Sequence, residues 1–188
     1  MDVTNNGNSI VADTAFAWPR MNYSTPGWDE MAIYELHFGS FLFDPAAPGS
    51  RGAFNTVIGK LPYLADLGIN VIHVMPAAEF PGSNSAGYDP SDIFAIEVNY
   101  GGPNGFHALV EAAHNLRIAV VFDVVYNHLG PNDLDLWVFD GWSQNNLGGI
   151  YFYNDTRCVT LWGNTRPDYG RGEVRQFLRD NSLLILDA

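Results

Sequence analysis

Asp123, Asn127 and His128 are the residues of this chain whose types and spacing are best suited to chemistry. They close the run Ile118-Ala119-Val120-Val121-Phe122-Asp123-Val124-Val125-Tyr126-Asn127-His128, which begins apolar and β-branched. Such a run reads as a strand buried on both faces. A carboxylate inside it is costly unless it is paired or hydrogen-bonded. A parallel α/β barrel makes the placement useful, because functional groups there gather at the C-terminal ends of the strands. The three residues therefore read as the rim of a polar pocket. The neutral imidazole of His128 can donate to or accept from a hydroxyl.

Three strand-helix units must position that rim. Strands are expected over 32–37, 70–75 and 118–125, parallel and in sequential spatial order. Helices are expected over 53–67, 104–116 and 173–186. The first helix has Leu61, Leu64, Ala65 and Leu67 along an apolar side and Gly68 as its stop. Pro62 inside it implies a kink or a broken start. Phe106, Leu109, Val110 and Ala113 give the second helix its buried side, and Val174, Phe177, Leu178 and Leu184 the third. This alternation predicts a parallel sheet with right-handed crossovers. Residues 76–102 read as a long loop, and 129–172 as a Gly-rich, aromatic excursion.

The 118–128 run resembles the first signature region of the alpha-amylase superfamily of glycoside hydrolases and transglycosylases. Ile33-Tyr34-Glu35-Leu36-His37-Phe38-Gly39-Ser40-Phe41 is similar to that family's first barrel strand. Met75-Pro76-Ala77-Ala78-Glu79-Phe80-Pro81-Gly82 is similar to the end of its second. Gly87-Tyr88-Asp89-Pro90 and Tyr100-Gly101-Gly102-Pro103 match the loop that follows. The order is kept from about Met31 onward, and the nearest flavour is the glycogen branching enzymes and maltooligosyltrehalose trehalohydrolases. The resemblance implies an α/β fold: the first three β/α units of a (β/α)8 TIM barrel, incomplete, since a whole barrel takes about 250 residues. It also implies that residues 1–30 are a linker from an upstream module and that 31–188 are the partial barrel.

The same resemblance implies roles. The partner is an alpha-glucan: starch, glycogen or a maltooligosaccharide. His128 would hydrogen-bond the sugar at the cleavage subsite. Tyr88 would stack on the same ring, its flat apolar face complementing the C–H side of a pyranose. Asp123 would support the hydrogen-bond network, but its family partner is an Arg on the fourth strand. Without that Arg, Asp123 risks being a buried, unpaired carboxylate. The nucleophile and acid/base of the family lie on its fourth and fifth strands, so no catalytic residue is assigned here and the chain is expected to be inactive alone. Two other readings stand beside this one: a catalytically dead glucan-binding remnant, and a non-functional structural fragment. Asn127 matches a position that ligates calcium in some amylases, but no carboxylate cluster of calcium spacing adjoins it. A structural loop role, with no metal and no cofactor, is expected.

Three positions depart from the family pattern. Ala86 stands where Trp precedes Gly-Tyr-Asp-Pro. Arg117 replaces a helix-ending Gly, and would cost about 1 kcal/mol if the backbone there is left-handed. His73 replaces a Glu in the second strand and reads as a satisfied structural histidine. Aromatics of the excursion, including Trp137, Phe139, Trp142 and Trp162, fit either a glucan groove or internal packing. Leu186-Asp187-Ala188 is expected to continue the third helix, not to begin a strand.

Composition bounds the partners. The 188 residues carry 21 Asp and Glu against 9 Lys and Arg, a net charge of −12. That excludes nucleic acid and anionic membrane as expected partners and is compatible with a neutral polyol. The single Cys158 permits no internal disulfide. The first residues have neither a basic region nor an apolar core, so no signal peptide is expected and a cytoplasmic setting is the default. Open sheet edges on a three-strand slice predict self-association.

Overall fold

The structure, a computed structural model, describes residues 18, 22–42, 53–130 and 134–187. Two compact units divide the chain. One takes its described residues from 10–77 and 96–123, the other from 78–95 and 124–188.

The first unit holds strands β1 (Ile33–Leu36), β2 (Val71–Val74) and β5 (Ala119–Phe122). They form one sheet in the order β1-β2-β5. Both pairings are parallel, with Glu35 opposite His73 and His73 opposite Val121. The expected strands, their sequential order and their direction are all present. This is the opening portion of an unclosed parallel α/β barrel.

One face of this sheet carries helix α3 (Gly102–Asn115), on which helix α1 (Phe54–Ile58) packs. Leu36, Ile72 and Val74 are buried there. Phe54 is the centre of the packing, edge-on to Phe38 at 4.7 Å and tilted on Phe106 at 5.8 Å. Phe106 meets Phe122 of β5 at 5.3 Å. Such pairings add to the burial that drives the layer together. On the other face Ile33 and Val121 are exposed.

The expected helix over 53–67 is two pieces, α1 and α2 (Leu61–Asp66), parted at Gly59 and Lys60. Pro62 is the second residue of α2, where a missing N–H costs nothing. Gly68 ends α2 with φ +90°, and Ile69 N–H closes back on Leu64 C=O at 3.0 Å. Leu67 lies in that turn and is exposed, not on the buried side as the periodicity suggested. Arg117 repeats the device at the end of α3. Its φ is +60°, and Ile118 N–H reaches Ala113 C=O at 2.9 Å. The left-handed backbone that a Gly would take freely is thus held by an arginine.

Parts of the 1–30 segment lie outside the described residues. Its Trp18 packs edge-on to His107 at 5.4 Å, and Tyr23 stacks on His114 at 4.0 Å. Burial lowers the pKa of both histidines below the ordinary 6.5. The folded form therefore binds fewer protons than the unfolded chain, and its stability from this source is complete above pH 6.5. It falls as pH drops from there through the lowered folded values. Thermal melts are expected to show this loss, and a His107→Gln/His114→Gln variant is expected to lose less stability than the parent over the same interval. An equal loss in both proteins would contradict the assignment.

The second unit holds β3 (Ala78–Glu79), β4 (Asp92–Ile96) and α4 (Gly172–Asp187). β3 and β4 form a small separate sheet inside the stretch read from sequence as a loop. Two residues of strand are too short for periodicity to show. A core of Ile93, Leu129, Phe152 and Leu178 holds the unit, with Tyr151, Tyr169 and Phe177 packed on it. α4 runs through Asp187, as expected for a continuing helix. Val174 and Leu178 are buried, but Leu184 is 49% exposed. It lies about 80° round the helix from Val174 at 100° per residue, and Asn181 occupies the buried stripe in its place.

Candidate functional site

His128 is held from every side within the second unit. The preceding Asn127 sends its amide nitrogen to His128 Nδ1 at 3.2 Å. Nδ1 then accepts, so the ring proton sits on Nε2 and points at Asp89 Oδ1, 3.2 Å away. The indole of Trp162 lies flat on the imidazole, 4.8 Å between centroids and 8° from parallel. Only 4% of His128 is exposed. A sugar hydroxyl reaching His128 would share Nε2 with Asp89.

The backbone around His128 is fixed by close approach. Leu129 N–H donates to Thr165 C=O at 3.2 Å, and Gly130 N–H to Pro90 C=O at 2.7 Å. A Cβ on Gly130 would stand 2.6 Å from Asp89 O, so only glycine lets the two segments meet. Tyr88 belongs to the turn that this contact pins. Gly87, with φ +89°, precedes it and donates to Ser85 Oγ at 2.9 Å. The Tyr88 side is 38% exposed, and Ala86 beside it is exposed as well.

Trp162 is presented by a tight turn. Thr160 N–H donates to Gly163 C=O at 2.8 Å, Thr160 Oγ1 accepts from Trp162 N–H at 3.1 Å, and Gly163 takes φ +141°. Trp162 is 53% exposed. Phe152, by contrast, is fully buried, so the excursion's aromatics divide between core and surface.

Asp123 belongs to the sheet unit and follows β5 directly. Its N–H donates to Val74 C=O at 3.1 Å. The carboxylate escapes the risk, raised by the sequence, of lying buried and unpaired. It is partly exposed, and His73 Nε2 lies 3.8 Å from Oδ2. The other ring nitrogen of His73, Nδ1, lies 3.8 Å from Glu35 Oε1. The departure at His73 thus supplies Asp123 with a neighbour. Among the described residues no group of three His, Cys, Asp or Glu is arranged to hold a metal ion. No helix among them is long and apolar enough to cross a membrane.

One polar centre was missed in the sequence. Asn181 is 1% exposed. Its amide donates to Ile93 C=O at 2.6 Å, and its carbonyl accepts from Tyr126 Oη at 2.7 Å. Tyr169 Oη in turn donates to Tyr126 C=O. Burial raises the pKa of both phenols, which keeps them protonated donors. The signal was present: Asn181 falls seven residues after Val174, where the helical stripe calls for an apolar side chain.

Comparison with known proteins places these features. The family description "Alpha amylase, catalytic domain" matches residues 12–144. The malto-oligosyltrehalose trehalohydrolase of Saccharolobus solfataricus is 40% identical over 177 residues, 93% of this chain and 28% of that protein. The 1,4-alpha-glucan branching enzyme of Rubrobacter xylanophilus is 36% identical over 160 residues, 84% of this chain and 21% of that protein. A crystal structure of a Salmonella typhimurium protein described as an alpha amylase superposes with a TM-score of 0.78 at 33% identity. The match covers 95% of this chain and 27% of the Salmonella chain. The chain therefore spans about a quarter of the length of these relatives.

Proposed function

Because the chain belongs to the alpha-amylase family of catalytic domains, we propose that it supplies the sugar-binding wall of an alpha-glucan-active site. In this reading 31–188 are the first three units of the barrel and 1–30 are a linker. Tyr88 offers a ring face to a pyranose. His128 orients the Asp89 carboxylate, and Asp89 and Nε2 together receive a hydroxyl. Asp123 keeps the supporting role in the hydrogen-bond network that the resemblance gives it. The observation that carries the reading is the fixed imidazole of His128, locked between Asn127, Asp89 and Trp162, with the half-exposed Tyr88 next to Asp89 in the chain. Groups held in one geometry bind with little ordering cost.

The wall by itself has no catalytic pair. Retaining glycosidases need two carboxyl groups about 5 Å apart, and the family resemblance puts those on strands four and five. The chain is thus a glucan-binding piece of a hydrolase or branching transferase, inactive alone. The exposed Ile33 and Val121 of the sheet favour self-association as a secondary property.

Retention in a gel cast with glycogen tests the reading. The purified chain is expected to be slowed, and His128→Ala with Tyr88→Ala to lose most of that retardation. Migration indifferent to glycogen, or retention unchanged in the double variant, would count against it. A second reading, a structural piece without ligand, predicts the first of those outcomes.

A further inference from the structure

An open groove of about 760 Å³ runs along the first half of α4. Neither Tyr88 nor His128 lines it. Its wall carries the rings of Tyr151 and Phe177, which meet edge-on at 5.3 Å. Phe177 is braced behind by Phe94 at 4.9 Å. The rim carries Arg171, Glu173, Gln176 and Asp180.

The rim is partly built in advance. Arg171 Nε donates to Asp168 Oδ2 at 3.0 Å, and Nη1 to Ile150 C=O at 2.9 Å. Its guanidinium lies 5.5 Å from the Trp142 ring centroid. Nη2 has no hydrogen-bond partner among the described residues. Gln176 and Asp180, one turn apart on α4, are joined by a short hydrogen bond of 2.5 Å. The cation is therefore pinned at one end of the groove and an amide-carboxylate pair at the other.

This chemistry selects among ligand classes. Two carboxylates on the rim, against one arginine already paired with Asp168, disfavour an anion. A wholly apolar ligand would leave the charged rim desolvated and unpaired. A neutral polyhydroxylated ring satisfies both parts. Its C–H face lies on the aromatic wall, and its hydroxyls both donate to carboxylate oxygens and accept from the guanidinium and amide.

We infer that the α4 groove is a second carbohydrate site, which holds a neutral glucan segment independently of Tyr88 and His128. The inference rests on the reading of the chain as a glucan binder. It adds a site that shares no residue with the first.

The test compares two variants of the whole chain in glycogen-containing gels, with circular dichroism to confirm folding. Gln176 and Asp180 are exposed, so Gln176→Ala/Asp180→Ala leaves the core intact. It is expected to raise the apparent dissociation constant for glycogen about tenfold, as loss of two hydrogen-bonding groups implies. Combining it with Tyr88→Ala/His128→Ala is expected to abolish retention. Retention equal to the parent in Gln176→Ala/Asp180→Ala overturns the groove. A loss there, with Tyr88→Ala/His128→Ala unaffected, supports the groove and sinks the first site. A parent chain that glycogen does not retard overturns both.

Discussion

Incubated with maltooligosaccharides or amylose, the purified chain is expected to release no measurable reducing sugar and to form no branched product. Acetal cleavage with retention requires a nucleophilic carboxylate and a protonated partner about 5 Å from it. The carboxylates described above have other neighbours. Asp89 accepts from His128 Nε2 at 3.2 Å. Asp123 and Glu35 lie on opposite sides of one imidazole, each at 3.8 Å. A carboxylate placed to accept hydrogen bonds is not thereby placed to attack an anomeric carbon. Each absent group ordinarily accounts for several kcal/mol of transition-state stabilisation. The combined deficit puts turnover below ordinary detection. Robust activity, removed by a single substitution in this chain, would overturn this expectation.

Replacing Asn181 with Leu is expected to be among the most destabilising single changes in the second unit. The buried amide ties three segments: its own helix, Ile93 of β4 and Tyr126. Leucine is close in size but leaves the Ile93 carbonyl without that donor and takes one acceptor from Tyr126. Tyr126 keeps Ser182 Oγ at 2.9 Å, which limits the damage on that side. The cost is about 2–3 kcal/mol, mostly the desolvated carbonyl. For a chain of this length that is a fall of about 5–10 °C in melting temperature. A cycle with Tyr126→Phe separates the two halves, since only the phenol contact is shared by both changes. A loss under about 0.5 kcal/mol for Asn181→Leu would mean that the network does not act as a unit.

Much of the fold followed from residue order alone. The runs over 70–75 and 118–125 pair in a parallel sheet as their apolar, β-branched residues require, although the reading of burial on both faces holds only for β2, since Ile33 of β1 and Val121 of β5 are exposed. The helices between them impose that direction. The helix stops were equally legible: Gly68 takes the left-handed backbone its type permits, and Arg117 takes it because the same turn recurs at the same place. The motif residues Tyr88, Asp123 and His128 were legible as candidates because motif spacing is a property of the chain itself.

Contacts between segments distant in the chain were decided by tertiary structure. Nothing local in Asp123 shows that His73 lies near it; the pairing of strands β1, β2 and β5 does that, by setting Glu35 opposite His73 and His73 opposite Val121, two residues before Asp123. Periodicity put Leu184 on the buried side of α4, yet the buried stripe there passes through Asn181 to reach the Ile93 carbonyl and the Tyr126 hydroxyl. His128 is recognisable in the sequence as a polar residue at a strand end. Its orientation is set by Trp162, a residue 34 positions later, stacked on its ring. A sequence carries propensity and period, which are local. Hydrogen-bond partners and ring contacts across a core depend on which segments meet, and only the folded chain determines that.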